Sequence, residues 1–417
     1  METAENTQQN YKQTSVGLIP NDWGVKKLGE IILESKLGGN YENSENNEGI
    51  PVIKMGNIGR GNMNIFKIQN LPINEKYNED DVLKKGDLLF NTRNTLDLVG
   101  KVAIWNNELP FVLYNSNLLR LSFKSEFVAS NWFMNFSLNS ARSLVQLRGF
   151  ATGTTSVAAI YGRDLNHLKI PLPPLPEQQK IAKILSTWDE AIDKCKRIID
   201  ELKVRNKGFS QKLLTGKMRV KGFGEDLKNE YFVAGNYINE VSLKNRNTQI
   251  KRVLSVTNSR GFINQTEQFD REVASADLSN YKIVKKNQFA YNPSRVNVGS
   301  LDLLKTFEEG ILSPMYVVFE TDNTKLLPDF FHHHLKTHWF RGHVPMFVQG
   351  SVRDSLSYDG LCGIKFFIPP LEEQKTITTI LDKATEELNQ YQQKLENLQL
   401  QKKGLMQQLL TGKVRTV

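Results

Sequence analysis

The side chains of this chain best suited to chemistry are Asn, Arg, Ser and Thr residues placed on turns between short apolar runs. One group comprises Asn57, Arg60, Asn62, Arg93, Asn94, Thr154 and Thr155, and a second comprises Asn258, Arg260, Asn292, Arg295, Asn297, Ser351 and Arg353. An Arg guanidinium can bind guanine bidentately, an Asn amide can do the same for adenine, and small hydroxyls reach phosphates or base edges. The same residue types also build turns and solvated surfaces, so the pattern alone leaves both readings open. Arg93 and Arg295 stand out from the rest. KKGDLLFNTR (Lys84 to Arg93) matches KKNQFAYNPSR (Lys285 to Arg295) with one inserted residue, and Gly100 falls opposite Gly299, each a few residues past the arginine. Asn287-Gln288 replaces Gly86-Asp87 in the second copy, which leaves the equivalence of that turn open.

Templates for catalysis fail. There is no G-x-x-x-x-G-K-[ST] loop, H-E-x-x-H pair, nucleophile elbow or G-x-G-x-x-G after a strand. Tyr291-Asn292-Pro293-Ser294 lacks the second proline and the aromatic residue of an adenine-methyltransferase tetrad. Glu373-Gln374-Lys375 could be read as part of a metal nuclease, but it falls in the first turn of a helix, where capping accounts for it. His332, His333, His334, His338 and His343 cluster, with His334 and His338 at a metal-pair spacing, yet no carboxylate completes a ligand set. The expectation is a chain with no catalytic residues, no metal site and no cofactor of its own.

The elements that must position these side chains come from a duplication. The stretch from Pro173 to Lys217 (PPLPEQQKIAKIL…GFSQKLLTGK) returns 196 residues later, from Pro369 to Lys413, as PPLEEQKTITTIL…GLMQQLLTGK, without a gap and with 18 of 45 positions identical. In the first copy the apolar seam runs through Ile181, Leu185, Trp188, Ile192, Cys195, Ile199, Leu202, Asn206, Phe209 and Leu213. In the second it runs through Ile377, Leu381, Ala384, Leu388, Tyr391, Leu395, Leu398, Lys402, Leu405 and Leu409. Steps that alternate four and three make this a heptad seam, and the two seams are most simply partners. Prolines and first-turn glutamates mark the starts, and Thr215-Gly216 and Thr411-Gly412 mark the ends. Each helix of about 38 residues would span roughly 55 to 60 Å.

A more variable stretch precedes each helix. Short β-type runs (Ile50 to Met55, Asp87 to Phe90, Lys101 to Trp105) and one helix over Ala129 to Leu147 describe the first; Arg252 to Val256, Asn287 to Tyr291, Met315 to Phe319 and a helix near Asp329 to Phe340 describe the second. The fold class is therefore α+β: two mixed α/β lobes separated by two long antiparallel coiled-coil helices in a pseudo-two-fold tandem repeat. Parallel helices would demand a connection far longer than the stretch from Lys217 to about Lys228. Domain limits follow as 1–170, with 1–14 as a disordered tail, then 171–218, 219–366 and 367–417.

Composition narrows the setting. Two cysteines, Cys195 and Cys362, exclude a disulfide framework and fit a reducing cytoplasm. No apolar run approaches a membrane span, and the polar start METAENTQQNYKQT is not a signal peptide. The net charge of +9 admits an anionic partner, but it is spread over the chain; residues 1–176 carry 18 basic against 17 acidic side chains.

The duplicated PPLPEQQKIAKIL…LLTGK, the KKGDLLFNTR and YNPSR segments, and the opening Gly17-Leu18-Ile19-Pro20-Asn21-Asp22-Trp23 together resemble the specificity subunit of a type I restriction-modification system. The resemblance covers nearly the whole chain. It implies two target-recognition domains, each reading half of an asymmetric bipartite site on double-stranded DNA, with the helices setting the spacer. It also implies two docked modification subunits, which bring S-adenosylmethionine and the adenine-N6 methyltransferase site. Separate restriction subunits would add ATP- and Mg-dependent translocation and cleavage. A system of a related type is the near variant. A coiled-coil protein scaffold without DNA recognition is the reading from another class, and an autonomous nuclease a third.

Overall fold

The computed structural model describes residues 10–42, 44, 48–223, 231–267, 277–296, 299–347 and 355–416. The chain divides into two compact units, Met1–Lys196 with Lys394–Val417 and Arg197–Gln393. Each unit thus holds one lobe, the first part of one long helix and the last part of the other.

In the first unit a four-stranded antiparallel sheet takes the order Ile32–Leu37, Leu118–Phe123, Leu88–Asn91, Val102–Ile104. The second unit repeats that order with Ile238–Glu240, Val317–Thr321, Phe289–Tyr291 and Leu301–Leu303. The central strand of each sheet comes from the KKGDLLFNTR or KKNQFAYNPSR segment. Leu88, Leu89 and Phe90, like Phe289, Ala290 and Tyr291, are wholly buried, which explains why the two segments keep an apolar triplet while their flanks diverge. Burial of one such large side chain is worth about 1.5–3 kcal/mol. Phe289 stacks on Phe319 at 4.9 Å between centroids, and Phe331 meets both edge-on.

In each lobe the segment expected to form one helix forms two: Asn131–Leu138 and Ala141–Phe150 in the first unit, Pro328–Leu335 and His338–His343 in the second. The breaks are made by new N-caps. Ser140 Oγ accepts from the Ser143 amide at 3.3 Å, and Thr337 Oγ1 from the Phe340 amide at 3.2 Å. Helical periodicity passes through such a cap without a visible interruption, so the spacing alone could not show it.

A last strand leads each lobe into its long helix: Lys169–Leu172 pairs with Gly24–Lys27, and Lys365–Phe367 with Tyr231–Val233. The helices run over Leu175–Leu213 and Leu371–Leu409, 39 residues each. Gly216 (φ +68°) and Gly412 (φ +71°) lie in the left-handed region that ends each one. Within each unit the helical segments are antiparallel. In the first, Ile181 and Leu185 share a core with Leu405 and Leu409, and Lys402 pairs with Asp189. In the second, Ile377 and Leu381 share a core with Phe209 and Leu213, and Asn206 Nδ2 donates to the Ala384 carbonyl at 2.7 Å. The seam positions Ile192, Cys195, Ile199 and Leu202 are buried, whereas Trp188, Leu388, Tyr391, Leu395 and Leu398 are half-buried. Asn206 and Lys402, the polar residues in the two seams, are thus each given a partner rather than left bare.

Candidate nucleic-acid interface

The strand Arg93–Asn94 continues the buried central strand of the first lobe outward. It pairs with Ala158–Ala159, which pairs in turn with Thr152–Gly153. Arg93, Asn94, Thr154 and Thr155, some 60 residues apart in sequence, therefore share one small three-stranded sheet and its hairpin tip. Gly153 sits at φ +126°, where a Cβ would lie 2.3 Å from the Val157 carbonyl oxygen, so the hairpin requires glycine there. The Thr155 carbonyl accepts from the Leu96 amide at 3.1 Å, which fixes the tip to the loop after Arg93. Thr154 Oγ1 accepts from the Val157 amide and contacts Ser156 Oγ, so its hydroxyl helps to hold the turn. The Arg93 side chain is exposed and has no hydrogen-bond or ionic partner among the described residues.

Delivery of that arginine depends on Asn91, a buried residue that the sequence reading overlooked. Its Oδ1 accepts from the Arg93 amide at 3.2 Å. Asn292 does the same in the second lobe: Oδ1 accepts from the Ser294 amide at 3.1 Å, and the Arg295 amide reaches the Asn292 carbonyl at 2.9 Å. The shared Asn in FNTR and YNPSR was the signal that could have found Asn91. Arg295, like Arg93, is exposed and lacks a side-chain partner among the described residues. Asn292 is itself buried. Its amide is spent on shaping the turn, and so is that of Asn57, whose Oδ1 accepts from the Lys54 amide and whose Nδ2 donates to the Asn64 carbonyl.

Arg60 lies on the loop that meets the strand Val102–Ile104, through the Gly61 amide and the Val102 carbonyl at 2.7 Å. Its Nη2 donates to the Asp97 carbonyl at 3.1 Å. Arg148 Nη2 stands 3.5 Å from Asp97 Oδ1. Together these residues line a cavity of about 260 Å³ beside the strand that carries Arg93. Burial lowers the Arg60 pKa below its ordinary value, and burial with the Arg60 charge lowers that of Lys101. Arg148 is a cation that the sequence reading missed, because it sits on a helix and only the tertiary fold brings it to Asp97.

In the second lobe the hairpin formed by Leu254–Thr257 and Gly261–Asn264 presents Asn258 and Arg260 at its tip, both exposed. Thr257 Oγ1 accepts from the Arg260 amide, and Arg260 pairs with Glu267 at 3.5 Å. A Cβ at Gly299 would lie 2.2 Å from Asn258 Oδ1, so the loop after Arg295 packs directly under this tip. The Leu356 amide donates to the Pro293 carbonyl, which brings the chain from residue 355 onward to the same turn. Asn297, Ser351 and Arg353 lie outside the described residues.

The histidine cluster of the second unit is otherwise employed. His332 Nε2 lies 2.6 Å from Asp302 Oδ1 and His333 Nε2 lies 2.8 Å from Asp382 Oδ1. Among the described residues no group of three or more His, Cys, Asp or Glu side chains is placed to hold a metal ion. Glu373, the other candidate for metal chemistry, is buried and holds Arg219. Helix capping was therefore an incomplete account of that glutamate.

The model for the type I restriction modification DNA specificity domain matches residues 20–204. A protein of Methanocaldococcus jannaschii described as the MjaX type I restriction enzyme specificity subunit is 28% identical over 98% of this chain and 97% of its own length. The MjaVIII type I restriction enzyme specificity subunit of the same organism is 24% identical over 98% and 96%. Among solved structures, the type I restriction-modification S subunit of M. genitalium superposes with a TM-score of 0.59 at 16% identity, over 93% of this chain and 96% of that one. In repeated lobe topology, paired long helices and full-length likeness the chain is similar to the specificity subunits of type I restriction-modification systems.

Proposed function

We propose that the two lobes, residues 1–170 and 219–366, each read one half of an asymmetric bipartite sequence on double-stranded DNA. The long helices at 171–218 and 367–417 set the spacer and dock modification subunits. The observation that carries this reading is the pair Arg93 and Arg295. Both are exposed arginines without a side-chain partner among the described residues, and both are delivered by an equivalent buried asparagine at the end of the same central strand. Around them the neighbours differ, Thr154 and Thr155 in one lobe and Asn258 and Arg260 in the other, so one fold presents two different donor sets. Different donor sets read different bases. The contact set then comprises Asn94, Thr154, Thr155, Arg60 and Arg148 beside Arg93, and Asn258 and Arg260 in the lobe of Arg295; the sequence adds Asn297, Ser351 and Arg353 to the second set. Asn57 and Asn292 support the loops.

As a specificity subunit the chain is not itself a methyltransferase or a nuclease. S-adenosylmethionine, ATP and Mg belong in this reading to modification and restriction subunits. No helix of the described residues is long and apolar enough to cross a membrane. In this reading the chain works on chromosomal DNA in the cytoplasm.

The test is co-expression with the neighbouring gene for an adenine methyltransferase, followed by mapping of methylated adenines in host DNA. A split, asymmetric motif that appears only when this chain is present supports the reading. Formation of the complex without such a motif defeats it and leaves a protein scaffold.

A further inference from the structure

The cavity of about 260 Å³ in the first unit has apolar walls and a charged rim. Leu144 and Leu147, one turn apart on the helix Ala141–Phe150, form its walls together with Leu96 and Val99. Leu147 and Val99 are buried and belong to the core of the lobe. The Leu98 and Val99 amides both donate to the Thr95 carbonyl, at 3.0 and 2.9 Å, which folds residues 95–99 into a turn, and the Leu96 amide ties that turn to the Thr155 carbonyl of the hairpin. Leu96 and Val99 are therefore fixed by the chain itself, and the cavity is preformed.

Val145 also lines the cavity, and it is 74% exposed. A β-branched residue is a poorer helix former than most polar ones, so neither packing nor propensity calls for valine there. Leu98 on the turn is 40% exposed and Val157 on the hairpin 67%. Exposed aliphatic side chains scattered singly need no explanation, but these three lie on the three segments that meet here, beside the strand that carries Arg93. The charges are unbalanced as well. Arg60 and Arg148 line the cavity against one carboxylate, that of Asp97. Arg60 donates to the Asp97 carbonyl and only Arg148 faces the carboxylate, so the rim keeps a surplus positive charge. Lys101 adds to it, close enough to Arg60 to feel its charge.

We propose that this cavity is a subsite for the C5-methyl group of a thymine in the half-site of the first lobe, with Leu96, Leu144 and Val145 as specificity-determining contacts. The inference rests on the reading above that this lobe reads duplex DNA, and it names one base of the target. Thymine alone among the four bases presents an apolar group in the major groove. The surplus charge of the rim answers the phosphates on either side of that base. An apolar protein side chain would fill the walls but leave the rim charge unanswered, and a phosphate alone would leave Val145, Leu98 and Val157 in water.

The experiment uses the full chain in complex with the methyltransferase subunit encoded beside it, on synthetic duplexes that carry the mapped motif. Each thymine of the half-site affected by Arg93→Ala is replaced in turn by uracil, which removes one methyl group and keeps every hydrogen bond of the pair. At one thymine the replacement is expected to weaken binding about fourfold, the worth of one buried methyl group. Val145→Thr keeps the shape of an exposed side chain and puts a hydroxyl in the cavity wall. It is expected to weaken binding to the thymine duplex by a similar factor and to leave the uracil duplex unaffected, so that the two changes are not additive. A half-site made of G·C pairs alone, uracil without effect at every position, or an undiminished uracil effect in Val145→Thr overturns the subsite. With a split motif mapped, any of these results removes the subsite alone. Absence of any motif that depends on this chain defeats the proposed function itself, and the subsite with it.

Discussion

Arg415 grips Glu177, 238 positions earlier in the chain, through two parallel hydrogen bonds: Nε to Oε1 at 2.8 Å and Nη2 to Oε2 at 2.9 Å. The second unit holds the same pair 196 positions away from each partner, with Arg219 Nε 3.0 Å from Glu373 Oε1 and Nη2 2.6 Å from Oε2. Each glutamate is in the first turn of one long helix, and each arginine follows the end of the other. Both carboxylates are buried. The neighbouring glutamines are equally matched. Gln178 Nε2 donates to the Phe127 and Pro173 carbonyls, and Gln374 Nε2 to the Lys325 and Pro369 carbonyls. Within each unit the glutamate thus ties together the two helix ends and the glutamine ties its helix to the lobe.

Removal of one arginine leaves a buried carboxylate without its counter-charge. Arg219→Ala is expected to cost about 3–5 kcal/mol, measured as a shift in urea unfolding. Arg415→Ala should cost a similar amount in the first unit, where Trp23 Nε1 at 3.0 Å remains on Glu177. A loss below about 1 kcal/mol would show that the pair is no more important than a surface ion pair.

Specificity should divide between the lobes. Arg93→Ala is expected to relax or abolish reading of one half-site and Arg295→Ala that of the other, each by about 1–3 kcal/mol if the contact is to a base. Methylation mapping of the co-expressed complexes reads the outcome directly. Equal relaxation of both halves by either variant would contradict separate reading by the two lobes.

Arg148 and Arg60 offer a different signature, because both already contact Asp97. If Arg148 meets a phosphate, Arg148→Ala should weaken binding to all duplexes alike and lower the slope of log affinity against log salt by about 0.9. Asp97→Asn, by contrast, should strengthen duplex binding through removal of a nearby negative charge. Fluorescence anisotropy on the assembled complex at several salt concentrations distinguishes the two arginine roles.

Acid should destabilise the second unit through His334. Burial pushes its imidazole down to about 3 from an ordinary 6.5, opposed by a bond to the Phe367 backbone. The unfolded chain therefore takes up a proton that the folded one refuses. Stability is complete above about pH 6.5 and falls as pH drops through the window between the two values, at about 1.4 kcal/mol per unit. From pH 7 to 5 the expected loss is about 2 kcal/mol. Burial also lowers the His333 pKa, against the pull of Asp382, and adds in the same direction. His334→Phe, beside the Phe330 ring at 4.9 Å, should flatten this dependence in urea titrations at each pH. An unchanged slope would place the acid sensitivity elsewhere.

The sequence by itself determined the elements whose signals are local. An offset of 196 residues, a four-three apolar rhythm and proline and glycine boundaries were enough to place both 39-residue helices and to match the two central strands. Periodicity and capping act within a few residues, so they survive in one dimension. Tertiary structure decided what those elements bring together. Arg415 meets Glu177 only because the helical segments pack antiparallel, and Arg93 meets the hairpin at Thr152–Ala159 only through strand pairing across some 60 residues. Asn57 and Asn292, with donor chemistry indistinguishable in sequence from that of Asn258, proved buried and spent on turns while Asn258 stands exposed. Which amide faces solvent is set by the packing of neighbouring loops, a long-range property that residue type and spacing do not encode.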